Sequence, residues 1–180
     1  MDHTWTLFLD RDGVINEEKH GGYINTWQEF VFYEGAAQAV ADLSNLFLHT
    51  LIVTNQKGVG KGLTQLTDLA QIHQNMTDDI KLKGGHIDGI YFCPSLDQNH
   101  THRKPNSGMA YDAKVDFPNI HFEKSIMIGN NGSDMQFGKN VGMTTILLTT
   151  TVLLESVDAS LYDYHFSDLV SAATFLKTKF

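Results

Sequence analysis

Two aspartates two residues apart follow an apolar run near the N-terminus. Residues 5–9 are apolar and aromatic enough to form a buried strand, and Asp10, Asp12 and Gly13 come directly after it. Because side chains at positions i and i+2 of a strand point the same way, the two carboxylates should converge at the sheet edge, where parallel sheets bind ligands. One could be a nucleophile and the other an acid/base, with Mg2+ between them. The alternative is a pair that only caps a turn.

Polar motifs also follow the later predicted strands. They offer a hydroxyl and backbone N–H groups for phosphate oxygens, a fixed positive charge, and oxygen ligands for a cation. Each motif alone is weak evidence, because polar turns and surface charges are common, but their joint order is specific. The residues are Thr54, Asn55 and Gln56 after the second strand, Lys104 in the loop after the third, and Asn130 and Asp134 after the fourth.

Strands and helices alternate along the chain, which predicts an α/β fold with a parallel sheet covered on both faces. We predict a core of five strands, at 5–9, 50–53, 87–92, 125–129 and 144–148, and a further short strand from residue 163. Helices are predicted at 34–46, 107–115 and 169–177, from a cap at Thr64 or Thr67 to about 83, and from about Asp134 to about 141. Residues 24–32 should be extended or a hairpin that could form a flap, and residues 57–62 a glycine-rich loop.

Composition bounds the remaining possibilities. With 180 residues, the chain is predicted to be one domain, 1–180. The formal charge of -8 argues against binding nucleic acid by phosphate neutralisation, although a local basic cluster could still hold an anionic substrate. Cys93 is the only cysteine, which excludes an intrachain disulfide and fits a reducing cytoplasm. We expect no signal peptide and no membrane span, and the oligomeric state stays open.

Four segments together resemble the motifs of the haloacid dehalogenase (HAD) superfamily. In chain order they read FLDRDGVIN, TNQKGVGKG, RKP and IGNNGSDMQFGKNVGM. More narrowly, residues 6–148 resemble the D-glycero-D-manno-heptose 1,7-bisphosphate phosphatases and the histidinol-phosphate phosphatases. The resemblance implies a doubly wound, Rossmann-like parallel sheet without a large cap domain. It also implies an Mg2+-dependent phosphatase that acts on a small phosphorylated metabolite.

The resemblance also implies roles for individual residues. Asp10 would attack phosphorus to form an aspartyl phosphate, and Asp12 would protonate the leaving alkoxide and then activate water. Thr54 and Lys104 would stabilise the phosphoryl group. Mg2+ would lie between Asp10, the backbone carbonyl of Asp12 and Asn130, with Asp134 holding a metal-bound water. Substrate contacts would come from Asn55, Gln56 and Arg103, and from the segments Glu18–Tyr23 and Lys57–Lys61, in which we single out His20 and Lys61.

Two departures from the family pattern leave alternatives open. The fourth motif reads Gly-Asn at 129–130 where the family has Gly-Asp, which favours a non-catalytic phospho-sugar binder as the alternative to an enzyme. The relatives' zinc loop, Cys-x-His then Cys-x-Cys, here reads Cys93, Ser95, His100 and His102. Three of these residues could bind Zn2+ and Ser95 is a poor fourth ligand, so we expect a metal-free loop while a Cys-His-His site remains possible.

Overall fold

The computed structural model describes residues 2–179 and contains one six-stranded sheet in which every neighbouring pair of strands is parallel. Its order is β3-β2-β1-β4-β5-β6, the arrangement of a doubly wound fold. The α/β prediction is confirmed, and the short strand predicted in the tail joins the sheet as its sixth member. The strands are β1 (Thr6–Leu9), β2 (His49–Asn55), β3 (Gly89–Cys93), β4 (Ser125–Gly129), β5 (Thr144–Leu148) and β6 (Tyr164–Phe166).

Helices cover both faces of the sheet because β1 is apolar on both sides. Leu7 and Leu9 belong to an apolar cluster with the helices on one face, whereas Phe8 belongs to a second cluster with the helices on the other face. All three side chains are fully buried, and burying one such side chain contributes roughly 1.5–3 kcal/mol. The helices are α1 (Ala36–Ser44), α2 (Lys57–Gly60), α3 (Leu66–Leu82), α4 (Gly108–Asp116), α5 (Gly132–Val141) and α6 (Leu169–Lys177).

Three local predictions are wrong. The segment 24–32 is neither extended throughout nor a hairpin: it holds a 3-10 turn at Trp27–Glu29, and residue 32 bridges back to Asn16. Residues 57–60 form the short helix α2 instead of a loop. Neither threonine caps α3, which begins after Gln65 without a side-chain cap, because the Thr64 hydroxyl donates instead to Asn25 Oδ1 at 2.7 Å.

The topology places the carboxyl ends of β2, β1 and β4 side by side at one edge of the sheet. Each of these strands is followed by one of the predicted polar motifs, so the fold brings distant sequence segments to one place. Within residues 2–179, no helix combines the length and the apolar character that crossing a bilayer requires.

Candidate active site

A cleft of about 360 Å³ opens at this sheet edge, and it gathers residues from all four motifs. Loops on either side of the strand ends form its walls. Nine of the predicted site residues line it: Asp10, Asp12, Thr54, Asn55, Gln56, Arg103, Lys104, Asn130 and Asp134.

Lys104 lies at the bottom of the cleft between two carboxylates. Its Nζ is 2.8 Å from Asp10 Oδ1 and 2.7 Å from Asp134 Oδ1, and it donates to the Val53 carbonyl at 2.7 Å. These three acceptors use all three ammonium protons of a side chain that is only 1% exposed. Burial lowers the pKa of Lys104, but Asp10 and Asp134 more than offset this, so the pKa lies above its usual value. Lys104 is therefore a fixed cation.

The carboxylates of Asp10 and its neighbours bring more negative charge together than the single positive charge of Lys104 can balance. Burial raises the pKa of Asp10 to about 7, Lys104 opposes that rise, and the nearby Asp134 and Asp12 carboxylates add to it. One ammonium thus faces several carboxylates in a largely buried site. A divalent cation would relieve this imbalance, and hard cations prefer the oxygen donors present here.

Asp12 is held as an anion by donors from three directions. Its carboxylate accepts from Arg11 Nη2 at 2.9 and 3.0 Å, from Asn16 Nδ2 at 2.9 Å and from Gln56 Nε2 at 2.8 Å. Burial raises the pKa of Asp12, but Arg11 and these hydrogen bonds outweigh that effect and hold it below its usual value. The side chain remains 24% exposed, so it can still reach a molecule in the cleft.

Arg11 is itself fixed by a residue from a distant helix. Its guanidinium is fully buried, and its Nη1 lies 3.1 Å from Nε2 of His73 in α3. Burial and the neighbouring Arg11 charge lower the pKa of His73 to about 3, so the imidazole stays neutral and accepts a hydrogen bond from Arg11. His73 thereby positions Asp12 through Arg11. The sequence analysis did not identify Arg11, Asn16 or His73.

The TNQ segment at the end of β2 forms more hydrogen bonds within the protein than predicted. The Gln56 side chain donates to Thr54 Oγ1 at 2.9 Å, which leaves the Thr54 hydroxyl proton free for a phosphate oxygen. Asn55 and Lys104 exchange two hydrogen bonds of 3.1 Å that tie the Lys104 backbone to β2. The Gln56 backbone N–H donates to the Cys93 carbonyl at 2.8 Å. That N–H therefore cannot join a phosphate cradle as predicted, and the Asn55 amide holds Lys104 instead of facing the substrate.

Asn130 also lines the cleft and is 3% exposed. Its Nδ2 donates to Thr151 Oγ1 at 2.6 Å and lies 3.5 Å from Glu18 Oε2. Gly13, with φ of 82°, makes room for it, because a Cβ there would lie 2.0 Å from Asn130 Nδ2. The Thr150 hydroxyl donates a hydrogen bond to the Gly13 carbonyl. The loop after β5 thus belongs to the site, and the run of threonines directly after that predicted strand was the signal for it.

The start of α5 places Asp134 beside Lys104. Asn131 caps the helix by accepting from the Ser133 N–H at 3.4 Å, and Asp134 accepts from the Asn131 N–H at 3.0 Å. This capping box fixes the Asp134 carboxylate, and its other oxygen is the one that binds Lys104. Asp134 therefore acts on the cleft as the anchor of a lysine, a role the sequence analysis did not assign to it.

The cleft wall only partly matches the predicted substrate contacts. Arg103 lines it and donates to the Ser95 carbonyl at 3.1 Å. His20 lies instead in a neighbouring cavity of about 520 Å³, and Lys61 Nζ stacks 5.1 Å from the Tyr23 ring centroid, outside the described cleft lining. Substrate contacts from His20 and Lys61 therefore stay a prediction. Lys19 and Lys57 line the cleft.

The Cys93–His102 loop lacks a gathered ligand set. Cys93 Sγ lies 3.6 Å from His100 Nδ1, but His102 Nε2 contacts Asp112 Oδ2 at 2.8 Å, and its Nδ1 contacts the Thr101 hydroxyl at 3.0 Å. Among residues 2–179, no three His, Cys, Asp or Glu side chains are grouped to hold a metal ion. A cation in the cleft would accordingly use carbonyl oxygens as well as carboxylates.

Comparison with known proteins agrees with this geometry. Residues 101–169 match the HAD-hydrolase-like family model. The chain is 38% identical over 140 residues to a D-glycero-alpha-D-manno-heptose-1,7-bisphosphate 7-phosphatase of Mycobacterium tuberculosis, covering 77% of this chain and 74% of the relative. It is 35% identical over 144 residues to a D-glycero-beta-D-manno-heptose-1,7-bisphosphate 7-phosphatase of Rhodopseudomonas palustris, covering 76% and 78%.

A solved structure shows the same fold along the whole chain. The D,D-heptose 1,7-bisphosphate phosphatase of B. bronchiseptica, complexed with magnesium and phosphate, aligns over 100% of both chains with a TM-score of 0.83 and 25% identity. The predicted resemblance is thus confirmed by sequence relatives and by structure. The chain is a phosphoric monoester hydrolase that belongs to the HAD superfamily, among the relatives of the heptose bisphosphate phosphatases.

Proposed function

We propose that this protein is an Mg2+-dependent phosphatase that hydrolyses a heptose bisphosphate, or a closely related sugar phosphate, through an aspartyl-phosphate intermediate. The observation that carries the proposal is the pairing of two carboxylates with different surroundings at one sheet edge. Asp10 lies 2.8 Å from a fixed ammonium, whereas Asp12 is partly exposed and held by three neighbouring side chains. Two carboxylates whose environments differ in this way can divide the roles of nucleophile and acid/base.

The first half of the reaction would use both carboxylates. An Asp10 oxygen attacks phosphorus, the bond from phosphorus to the sugar oxygen breaks, and Asp12 donates a proton to the departing alkoxide. Asp12 is ionised in the free protein, so it must first take up that proton. A bound phosphate brings like charge close to Asp12 and raises its pKa, which permits this uptake.

The second half would return the protein to its starting state. Asp12, now a carboxylate, accepts a proton from water, and the water oxygen attacks phosphorus and displaces Asp10. Inorganic phosphate then leaves, and Asp12 releases the proton and returns to its ionised state. Lys104 would stabilise the phosphoryl oxygens through its charge, because its three protons are already engaged, and the Thr54 hydroxyl would donate to them. Both groups are fixed in position before substrate binds. Such positioning and charge compensation are the main requirements of phosphoryl transfer.

The residues that would hold Mg2+ are Asp10, the backbone carbonyl of Asp12 and Asn130. Their oxygen donors fit a hard cation, and the excess of carboxylates around Lys104 fits a positive charge. When bound, Mg2+ would neutralise charge on the phosphoryl oxygens. The relatives' names, the magnesium and phosphate in the B. bronchiseptica structure, and the Lys19, Lys57 and Arg103 side chains that line the cleft support a doubly phosphorylated sugar as substrate.

A non-catalytic sugar-phosphate binder is the second candidate, and Asn130 is the observation that favours it. Phosphate release from both anomers of D-glycero-D-manno-heptose 1,7-bisphosphate and from histidinol phosphate, with and without Mg2+, separates the candidates. We expect Mg2+-dependent release that is fastest from a heptose bisphosphate and absent in Asp10→Asn. Tight binding of the sugar without release would favour the binder, and faster release from histidinol phosphate would contradict the assigned substrate.

A further inference from the structure

We propose that Glu18 compensates for the missing carboxylate at position 130. In this arrangement Glu18 orients the Asn130 amide so that its oxygen faces the bound cation, and it adds the negative charge that the amide lacks. The inference rests on the Mg2+ site of the proposed function. It gives Glu18 a role different from the sugar contact that the resemblance implied for its segment.

The hydrogen bonds of Asn130 define which end of the amide faces the cleft. Its Nδ2 lies 2.6 Å from Thr151 Oγ1 and 3.5 Å from Glu18 Oε2. A hydroxyl can donate or accept, so Thr151 alone permits either amide orientation. An ionised carboxylate can only accept, so Glu18 requires that the nitrogen point toward it. Glu18 is therefore the group that discriminates between the two orientations.

The other end of the amide is left available for a ligand. Among residues 2–179, no group donates a hydrogen bond to Asn130 Oδ1, although Asn130 is 3% exposed and lines the cleft. A Cβ at Gly13 would lie 2.0 Å from Nδ2 but 3.1 Å from Oδ1, which places the nitrogen against the Asp12–Gly13 turn. With its nitrogen engaged, the amide presents a carbonyl oxygen, which is a suitable Mg2+ ligand.

Without a bound cation, the negative charge of Glu18 is unfavourable in its surroundings. Glu18 lines the same cleft as Asp10, Asp12 and Asp134, and such a carboxylate repels a phosphorylated substrate. Glu29, on the neighbouring segment, has a cationic partner in Lys19 at 2.6 Å, whereas the hydrogen bond of the Glu18 side chain goes to the neutral Asn130 amide. A divalent cation in the cleft would turn this repulsion into attraction, and ligand charge count tunes the affinity of oxygen-donor sites.

The test measures cation binding without turnover, using Mn2+ as the probe and electron paramagnetic resonance to count free Mn2+, with Mg2+ as competitor. Glu18→Gln keeps the side chain's size but removes its charge, and it lets the side chain donate as well as accept, so that it no longer requires the Asn130 nitrogen to point toward it. We expect it to weaken Mn2+ binding by about tenfold, close to 1.4 kcal/mol. Glu17→Gln is the matched control, since Glu17 is the adjacent exposed carboxylate and lines only the neighbouring cavity. It should weaken binding by less than about twofold.

Repeating Glu18→Gln in an Asn130→Asp variant separates the effect of Glu18 on the orientation of the amide from the effect of its negative charge. In Asn130→Asp the amide is gone, so adding Glu18→Gln should cost much less affinity than it does in the native chain, or should raise affinity by removing a repulsive carboxylate. Equal effects of Glu17→Gln and Glu18→Gln, or an unchanged loss in the Asn130→Asp background, would overturn the proposal. So would failure of the native chain to bind Mn2+. Because no substrate is present, a protein that binds Mn2+ as expected but hydrolyses no sugar phosphate would contradict only the proposed function.

Discussion

The two sides of the cleft treat charge in opposite ways. On one side, Lys104 lies within 2.8 Å of both Asp10 and Asp134, and all three groups are largely buried. On the other side, the neutral amide of Asn130 contacts a hydroxyl and the exposed carboxylate of Glu18. A buried ion pair cannot lose one member without leaving an unpaired charge. Replacing a neutral, hydrogen-bonded amide leaves no such charge, so its effect should be smaller. The first side should therefore determine whether the site works, and the second how strongly it binds a cation.

The largest effect should come from the buried side. Asp10→Asn keeps the side chain's shape but removes the nucleophile, and we expect kcat to fall at least about a thousandfold, roughly 4 kcal/mol of barrier. The measurement is the Mg2+-dependent rate of phosphate release, with circular dichroism to show that the variant is folded. Near-normal turnover by Asp10→Asn would refute the aspartyl-phosphate mechanism.

His73, which positions Asp12 through Arg11, should affect how the free energy of unfolding depends on pH. His73 has a pKa of about 3 when folded against 6.5 for the ordinary group, so between these values the unfolded chain binds more protons. The free energy of unfolding should consequently fall as the pH falls below 6.5, by at most about 1.4 kcal/mol per pH unit from this one group.

His73→Gln should make that slope shallower, because glutamine does not titrate. Urea unfolding from pH 7 to about pH 4 measures it. The matched control is His165→Gln at an exposed histidine of β6, which should leave the slope nearly unchanged. Parallel slopes for the native chain and His73→Gln would show that His73 is not held neutral.

Asn130→Asp should restore a charged ligand and lower the Mg2+ concentration needed for half-maximal activity by at least about tenfold, some 1.4 kcal/mol. Phosphatase rate against Mg2+ concentration, measured for both proteins, gives the answer. Coincident curves would mean that position 130 does not limit metal binding. The two sides of the cleft would then differ less in function than they do in structure.

The smallest effect is expected in the Cys93–His102 loop, which adjoins the cleft. This loop is held by hydrogen bonds, among them those from Asn106 Nδ2 to the carbonyls of Gln98 at 3.2 Å and His100 at 3.1 Å. Treatment with a zinc chelator should leave the Tm unchanged, and elemental analysis of protein purified without a His-tag should find no stoichiometric zinc. Stoichiometric zinc that is lost in Cys93→Ala would contradict this expectation.

The main elements and most of the cleft could be predicted because they follow from local patterns. Apolar runs identify the strands; Asp10 and Asn130 each come directly after one, and Thr54 lies at the end of another. Parallel strands bring their carboxyl ends to the same edge, so residues with this placement must meet whatever the details of packing. The same reasoning does not extend to His20 and Lys61, because loops do not constrain where a side chain points, and their substrate contacts stay a prediction.

By itself, then, the sequence determined which strands have a polar motif at their carboxyl ends, which family the chain belongs to, and which charged residues are available to the cleft. Only the tertiary structure decided which groups pair. His73 reaches Arg11 across 62 positions, and Thr151 reaches Asn130 across 21, because helix α3 and the loop after β5 pack beside β1 and β4. The Asn130–Glu18 contact spans 112 positions. Hydrogen bonds require atoms to approach within about 3 Å, and such distances depend on the packing of the whole fold.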